Sequence, residues 1–233
     1  MDPYYLTESM YVLNQKMYCE GLPIKKHNWH RVLSEYGWEK IPKKWITRLN
    51  QLSETKEHNS LYGIYDCMPD GDCFFHCMAH ALNERDNYMS NYDCGDIREL
   101  ICDHLRPDQF EMILEYYKVM KDADDWSDGW DPYEITCIED FKRLFLEGGH
   151  GFWCDWVILT LITDIIQVNI LILTHMTDTN EISVYNTMID HKDDRDTVVL
   201  LYENENHFKL VGHFNGDRMI SYFKELPYEL NQL

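Results

Sequence analysis

Helical and strand-forming patterns occupy different parts of this chain, and their order limits the folds it can adopt. Apolar residues recur at helical spacing through residues 73–82, 95–105, 108–121, 137–147 and 153–165. Strand-like segments follow at 168–174, 182–185, 197–202 and 207–214. Asn215 and Gly216 mark a hairpin turn before a last strand at 219–223. With a further strand candidate at 61–66, this order predicts an α+β layered domain.

Charge divides the chain into two segments. The whole sequence has 41 acidic and 21 basic residues, for a net charge of -20. Residues 1–60 hold nine bases and seven acids (+2), whereas residues 61–233 hold twelve bases and thirty-four acids (-22). We therefore predict an N-terminal extension, 1–60, and a main domain, 61–233, that meet near residues 57–60. The strong negative charge opposes binding to nucleic acid or to anionic lipid and favours basic partners.

The N-terminal extension is predicted to be helical. Trp29, Trp38 and Trp45 lie among lysines, and Pro42 suits the first turn of a helix that carries Trp45. Tryptophan among basic residues also occurs where nucleic-acid bases stack, but amphipathic helices that dock on a domain give the same pattern. Docking is the favoured interpretation.

Compartment is indicated by what the sequence lacks. The first ten residues have neither the basic region nor the apolar run of a secretory signal peptide. The longest apolar run, 157–173, is interrupted by polar residues and is unsuited to span a bilayer. Eight cysteines in a long, core-rich chain favour free thiols over a disulfide framework. We predict a soluble, cytoplasmic protein with no membrane partner.

The segment from Asp70 to Cys73 (DGDC) has the sharpest chemical character. Cys73 begins a predicted helix, where the helix dipole and unpaired N–H groups favour a thiolate. Gly71 gives the preceding turn the freedom to aim backbone N–H groups at a developing oxyanion. One loop can thus supply a nucleophile and an oxyanion hole, although a buried structural cysteine is the alternative.

A thiolate mechanism also needs a base. Among the eleven histidines, His207 begins an apolar strand directly after a polar run, so that its ring can face a cleft. His76 and His80 share the predicted helix of Cys73 and are interpreted as positional or core residues. His150 is assigned to a loop.

Three motifs in order resemble one known family. DGDCFF at 70–75, GFWCDW at 151–156 and NENHFKLV at 204–211 resemble the ovarian tumour (OTU) family of cysteine proteases, which act as deubiquitinases. The resemblance covers residues 61–214. It implies an OTU-like, papain-type cysteine protease fold with a central, mostly antiparallel β-sheet flanked by helices, to which this chain adds its N-terminal helical extension.

The resemblance also implies roles for three residues. Cys73 corresponds to the nucleophile, His207 to its general base and later general acid, and Asp70 to an acidic residue that shapes the oxyanion loop without contacting His207. One position departs from the family. An Asn or Asp that orients the imidazole often stands two residues after the histidine, but here Lys209 stands there and cannot accept a hydrogen bond. Asn204 or Asn206 can substitute, or the enzyme works as a dyad.

The reaction that the resemblance implies is hydrolysis of the isopeptide bond at the ubiquitin carboxyl terminus, through a thioester on Cys73 and without cofactor or metal. Expected partners are ubiquitin or polyubiquitin chains, with ubiquitin-like modifiers left open. The arginines in ubiquitin's tail suit the charge of -22 on residues 61–233. Such domains occur in viruses, intracellular bacteria and eukaryotes, and a virus- or pathogen-encoded protein is expected to act in host cytoplasm.

An acidic segment at 122–134, with six acids and two tryptophans, has two interpretations. A solvated loop is favoured. Contact with a basic, partly apolar protein surface is the alternative.

Two rival functions are considered. Cys73, His76, Cys77 and His80 have ligand types suited to zinc, but four ligands over two helical turns span about 10 Å and cannot converge on a tetrahedron. The other rival is an inactive OTU-fold module that binds ubiquitin without cleaving it, a possibility that Lys209 keeps open.

Overall fold

The first part of the chain forms a small antiparallel sheet of four strands, each paired with the next along the chain. The structure is a computed structural model that describes residues 3–54, 60–126, 129–185 and 191–233. The strands are β1 (Tyr4–Tyr5), β2 (Met10–Leu13), β3 (Lys16–Cys19) and β4 (Leu22–Pro23). The prediction that this part of the extension is helical is therefore wrong. Asn14 and Gln15, both at positive φ (50° and 63°), make a two-residue turn that returns β3 alongside β2.

The rest of the extension docks on the main domain as predicted. It contains α1 (Trp29–Leu33), β5 (Trp38–Lys40) and α2 (Lys43–Leu52). Helix α2 starts directly after Pro42, and the buried Trp45 donates from Nε1 to the Thr174 carbonyl at 3.0 Å. Trp29 and Trp38 are buried as well, which favours docking over base stacking.

The main sheet is mixed but mostly antiparallel. Its remaining strands are β6 (Tyr62–Tyr65), β7 (Asn169–Met176), β8 (Glu181–Tyr185), β9 (Thr197–Glu203), β10 (His207–Phe214), β11 (Met219–Ile220) and β12 (Tyr222–Phe223). The order is β5-β6-β10-β9-β7-β8, with β11 paired to β10 and β12 to β9. Among the pairings of the described strands, β7 with β9 is parallel and the others are antiparallel. These strands confirm the α+β class and the antiparallel character of the sheet.

The predicted helices are confirmed, with small shifts at their ends. They are α3 (Cys73–Arg85), α4 (Cys94–His104), α5 (Pro107–Asp122), α6 (Ile138–Glu147) and α7 (Trp156–Ile166). A short α8 (Tyr228–Asn231) near the end of the chain was not predicted. Helix α7 starts three residues later than expected because Asp155 caps it, accepting from the Ile158 amide at 2.9 Å.

The last predicted strand, 219–223, is also corrected. It breaks at Ser221, whose amide and hydroxyl both donate to the buried Glu84 carboxylate, at 2.5 and 2.6 Å. The chain then leaves β10 and pairs with β9.

Both faces of the main sheet are buried. Strand β10 lies inside the sheet, between β6 and β9. Leu210 and Val198 face a core shared with α3 to α7. Val211 and Val199 face the opposite core, which α2 and α8 cover. Because side chains alternate along a strand and both faces are buried, β9 contains a continuous apolar run from Val198 to Leu201.

The predicted boundary between the two segments falls partly on residues 57–59, which lie outside the described residues, and the division there stays a prediction. No helix among the described residues is long and apolar enough to cross a membrane.

Candidate active site

Cys73 is the first residue of α3, and its thiol is nearly buried. Helix α3 packs against β10, and the ring centroids of Phe74 and Phe208 lie 5.5 Å apart. The Phe208 amide points at Cys73 Sγ from 3.4 Å. The sulfur therefore lies at the positive end of a 13-residue helix and receives a further N–H from the strand beside it.

His207, the first residue of β10, is brought to Cys73 by this packing. The Cys73 sulfur stabilises the protonated imidazole and so raises the pKa of His207; burial opposes the rise and Asp66 supports it. Because His207 Nε2 lies 3.0 Å from Asp66 Oδ1, the nitrogen left for the thiol is Nδ1. The raised pKa favours a protonated His207 ring beside Cys73 Sγ.

Asp66 is the carboxylate that contacts the imidazole, and it was not among the predicted site residues. Strand β6 pairs with β10 so that Tyr65 faces Leu210, which places the next residue, Asp66, beside Lys209. Asn204, one of the residues considered for this contact, instead accepts at 2.8 Å from both the amide and the hydroxyl of Thr177. The signal for Asp66 was a carboxylate ending a strand candidate, but its partner depends on strand register.

Asp70 lies in the loop before Cys73 and shapes it. Its carboxylate accepts from the Asp72 amide and pairs with His76 Nε2, each at 2.9 Å. Burial acts to raise the pKa of Asp70, but the hydrogen bonds from His76 and Asp72 outweigh it and the pKa lies below its usual value. Since the Asp72 amide is engaged, the loop N–H groups considered for an oxyanion are those of Gly71 and Cys73.

Asp72 ties this loop to the loop before α7 through a buried arginine. Arg98 of α4 is 2% exposed and donates from Nε to Asp72 Oδ1 at 2.9 Å, with a second, shorter contact from Nη2. The other Asp72 oxygen accepts from the Gly149 amide at 2.9 Å. Arg98 also donates to the carbonyls of Phe145 (2.7 Å) and Phe152 (3.0 Å). In the sequence, Arg98 is only a basic residue between Ile97 and Ile101, so its part in holding the loops was not predicted.

Gly71 touches the same neighbouring loop. Its φ is +91°, and a Cβ there would lie 2.3 Å from the Gly149 carbonyl carbon and 2.6 Å from the His150 nitrogen. The two loops that flank Cys73 are thus in backbone contact. Beyond them, the His150 ring lies 5.7 Å from Trp153, which is 40% exposed and available to a ligand.

The residues of the zinc alternative have other partners. His76 pairs with Asp70, Cys77 Sγ lies 3.4 Å from Cys67 Sγ, and the His80 ring stacks on Tyr65 at 4.5 Å. Burial lowers the pKa of His80 to about 4, so its ring is neutral. In the described ranges no group of three potential ligands is placed to hold a metal ion. All eight cysteines are free thiols.

The acidic segment at 122–134 turns its tryptophans inward. Trp126 and Trp130 both pack on Tyr117, and the ring centroid of each lies 5.2 Å from that of Tyr117. Trp126 Nε1 donates to the Trp130 carbonyl. Residues 127–128 lie outside the described part of the segment. These indoles hold the segment on its own core, which favours the loop interpretation.

Comparisons with known proteins gave matches among solved structures alone. No family model and no curated protein matches the chain. Among solved structures, the OTU domain of OTUD1 is 12% identical over 80% of this chain and 93% of its own, with a TM-score of 0.41. An OTU deubiquitinase from Wolbachia pipientis wMel is 11% identical over 74% and 96% (TM-score 0.42). The Hazara virus OTU bound to ubiquitin is 12% identical over 68% and 82% (TM-score 0.39).

Proposed function

We propose that this chain is a cysteine-type deubiquitinase that hydrolyses isopeptide bonds at the ubiquitin carboxyl terminus. The observation that carries the proposal is the placement of the Cys73 thiol, at the start of α3, beside His207, at the start of β10, where the amide of the next residue, Phe208, donates to Cys73 Sγ at 3.4 Å. The order of the three OTU-like motifs supports the choice of ubiquitin as substrate. Cys73, His207 and Asp70 keep the roles that the motifs imply.

The reaction starts with a proton on His207 and a negative charge on Cys73. The thiolate attacks the carbonyl carbon of the terminal glycine of ubiquitin, and the oxyanion receives hydrogen bonds from the loop that Asp70 shapes. The imidazolium gives its proton to the departing lysine amine, leaving a thioester on Cys73. His207 then takes a proton from water, which attacks the thioester and releases ubiquitin with a free carboxylate.

The acidic character of the chain favours a substrate with a basic tail. A net charge of -20 attracts the arginines that precede ubiquitin's Gly-Gly end. Polyubiquitin chains and ubiquitin-like modifiers belong to the same substrate class. Free thiols suit a reducing compartment, and we place the reaction in the cytoplasm, or in host cytoplasm if the protein comes from a virus or pathogen.

The test uses ubiquitin that carries a vinyl-type electrophile in place of its carboxyl terminus. Wild-type protein is expected to gain the mass of one ubiquitin, and Cys73→Ala is expected to gain none. His207→Ala is expected to lose cleavage of di-ubiquitin while remaining folded by circular dichroism. Protein that binds ubiquitin but forms no adduct would instead support the inactive module. A panel of di-ubiquitins then defines linkage preference.

A further inference from the structure

Lys209 stands two residues after His207 and lies between two carboxylates. Its side chain is 11% exposed, and Nζ is 2.9 Å from Glu203 Oε2 on β9 and 3.5 Å from Asp66 Oδ1 beyond β6. Burial acts to lower the pKa of Lys209, but the two carboxylates outweigh it and raise the pKa above its usual value. The lysine is therefore charged at neutral pH.

Glu203 is itself anchored from a third strand. His175 Nδ1 of β7 lies 3.4 Å from Glu203 Oε1. Burial acts to raise the pKa of Glu203, but Lys209 and His175 outweigh it and lower the pKa. Glu203 thus anchors the Lys209 ammonium to the sheet, and from that position the ammonium contacts Asp66.

Asp66 needs such an anchor to serve His207. Its side chain is 47% exposed and follows the last residue of β6, so water competes for its oxygens. A carboxylate free to rotate into solvent holds an imidazole poorly, since a surface pair of this kind contributes little by itself.

We propose that Asp66 is the residue that positions the His207 ring, and that Lys209 is a positioning residue one step further away, which holds Asp66 against the imidazole. The inference rests on the proposed function of the Cys73–His207 pair. It gives a role to the lysine that stands where the OTU family often has an acceptor: here the acceptor comes from the neighbouring strand.

The His207 pKa distinguishes positioning from a simple charge effect. Cys73 and Asp66 face the ring, Lys209 and Glu203 lie behind Asp66, and His175 lies behind Glu203. If Lys209 were only a nearby positive charge, Lys209→Met would raise the His207 pKa by removing repulsion. If Lys209 holds Asp66 in place, the same change releases the carboxylate and lowers that pKa.

The measurement is an NMR titration of histidine-labelled full-length protein, with the His207 signal assigned from His207→Asn. Lys209→Met and Asp66→Ala are each expected to lower the His207 pKa, and Lys209→Arg is expected to leave it near the wild-type value. Lys192→Met is the matched control, because its pair with Asp164 involves the loop before β9, at the end of that strand opposite Glu203. An unchanged or raised pKa in Lys209→Met overturns the proposal.

A double-mutant cycle, measured by enzyme kinetics, tests whether Asp66 and Lys209 act together. We expect Asp66→Ala to lower kcat on di-ubiquitin about 10- to 100-fold and Lys209→Met about 10-fold, with KM nearly unchanged. In the Asp66→Ala background, Lys209→Met is expected to have almost no further effect. Additive losses would contradict the proposal. If wild-type protein cleaves no ubiquitin, the proposed function fails, whereas the titration still tests the positioning of His207.

Discussion

Arg98 joins three parts of the chain that surround Cys73. It neutralises Asp72, and it donates to the carbonyls of Phe145 and Phe152 on either side of the neighbouring loop. Its guanidinium also lies 3.8 Å from the centre of the Phe75 ring. Such a group is costly to remove, because the carboxylate it leaves behind stays largely buried.

We predict that Arg98→Met destabilises the protein by about 3–5 kcal/mol, the usual loss when one partner of a buried ion pair is removed. Urea unfolding at neutral pH measures it. Arg106→Met is the control: its pair with Asp108 is more than half exposed on both sides, so its unfolding midpoint should stay close to that of the wild type. Similar shifts in both variants would show that Arg98 does not stabilise the loops in this way.

Single residues were predictable where the chemistry is local. Cys73 was selected from the turn before its helix, and His207 from its place at the start of a strand; the structure brings the two together. Asp66 and Arg98 were missed because their partners are distant in sequence: Asp66 reaches a residue 141 positions away. Only strand register and helix packing reveal such contacts.

At the scale of elements, the two loops beside Cys73 are held at backbone contact by a glycine. Gly71 has a φ of +91° and faces the Gly149 carbonyl. Gly21 has a similar φ of +78°, but a Cβ there meets nothing within 4 Å. The two positions therefore share the backbone strain of a non-glycine residue and differ in the steric clash.

We expect Gly71→Ala to push the loops apart and to lower kcat/KM on di-ubiquitin more than tenfold. Gly21→Ala is expected to keep full activity, since it incurs only the left-handed backbone cost of roughly 1–2 kcal/mol. Parallel kinetics and urea unfolding of both variants separate the two effects. Equal kinetics in the two variants would mean that the loop contact is unimportant for turnover.

Element types followed from periodicity wherever a segment buries one regular face. The helices between residues 73 and 166 and the strands between residues 169 and 214 appear as predicted, with small shifts at their ends. The N-terminal strands were not predicted, although Met10, Val12 and Met17 all point inward. The helical prediction for the whole extension rested on the tryptophans and lysines of residues 25–45. The break at Ser221 depends on Glu84, 137 residues away, and no local pattern shows it.

For the whole molecule, charge is the property that the sequence defines without a structure. The net charge of -20 belongs to the entire chain, and it is concentrated in residues 61–233, the segment that contains Cys73 and His207. The α+β class also follows from the order of elements. The addition of β5 to the edge of the main sheet does not follow from the order of elements, because it depends on pairing with β6.

Long-range attraction leads to the last prediction. Raising sodium chloride from about 20 mM to about 500 mM shortens the screening length from roughly 20 Å to roughly 4 Å. If acid-to-arginine attraction speeds the encounter with ubiquitin, kcat/KM on di-ubiquitin should fall about tenfold, mainly through KM. Alkylation of Cys73 by neutral iodoacetamide is the control and should change little, because no charged partner approaches. A flat salt profile for di-ubiquitin would mean that short-range contacts alone select the substrate, whereas equal losses in both reactions would mean that salt perturbs the Cys73–His207 pair itself.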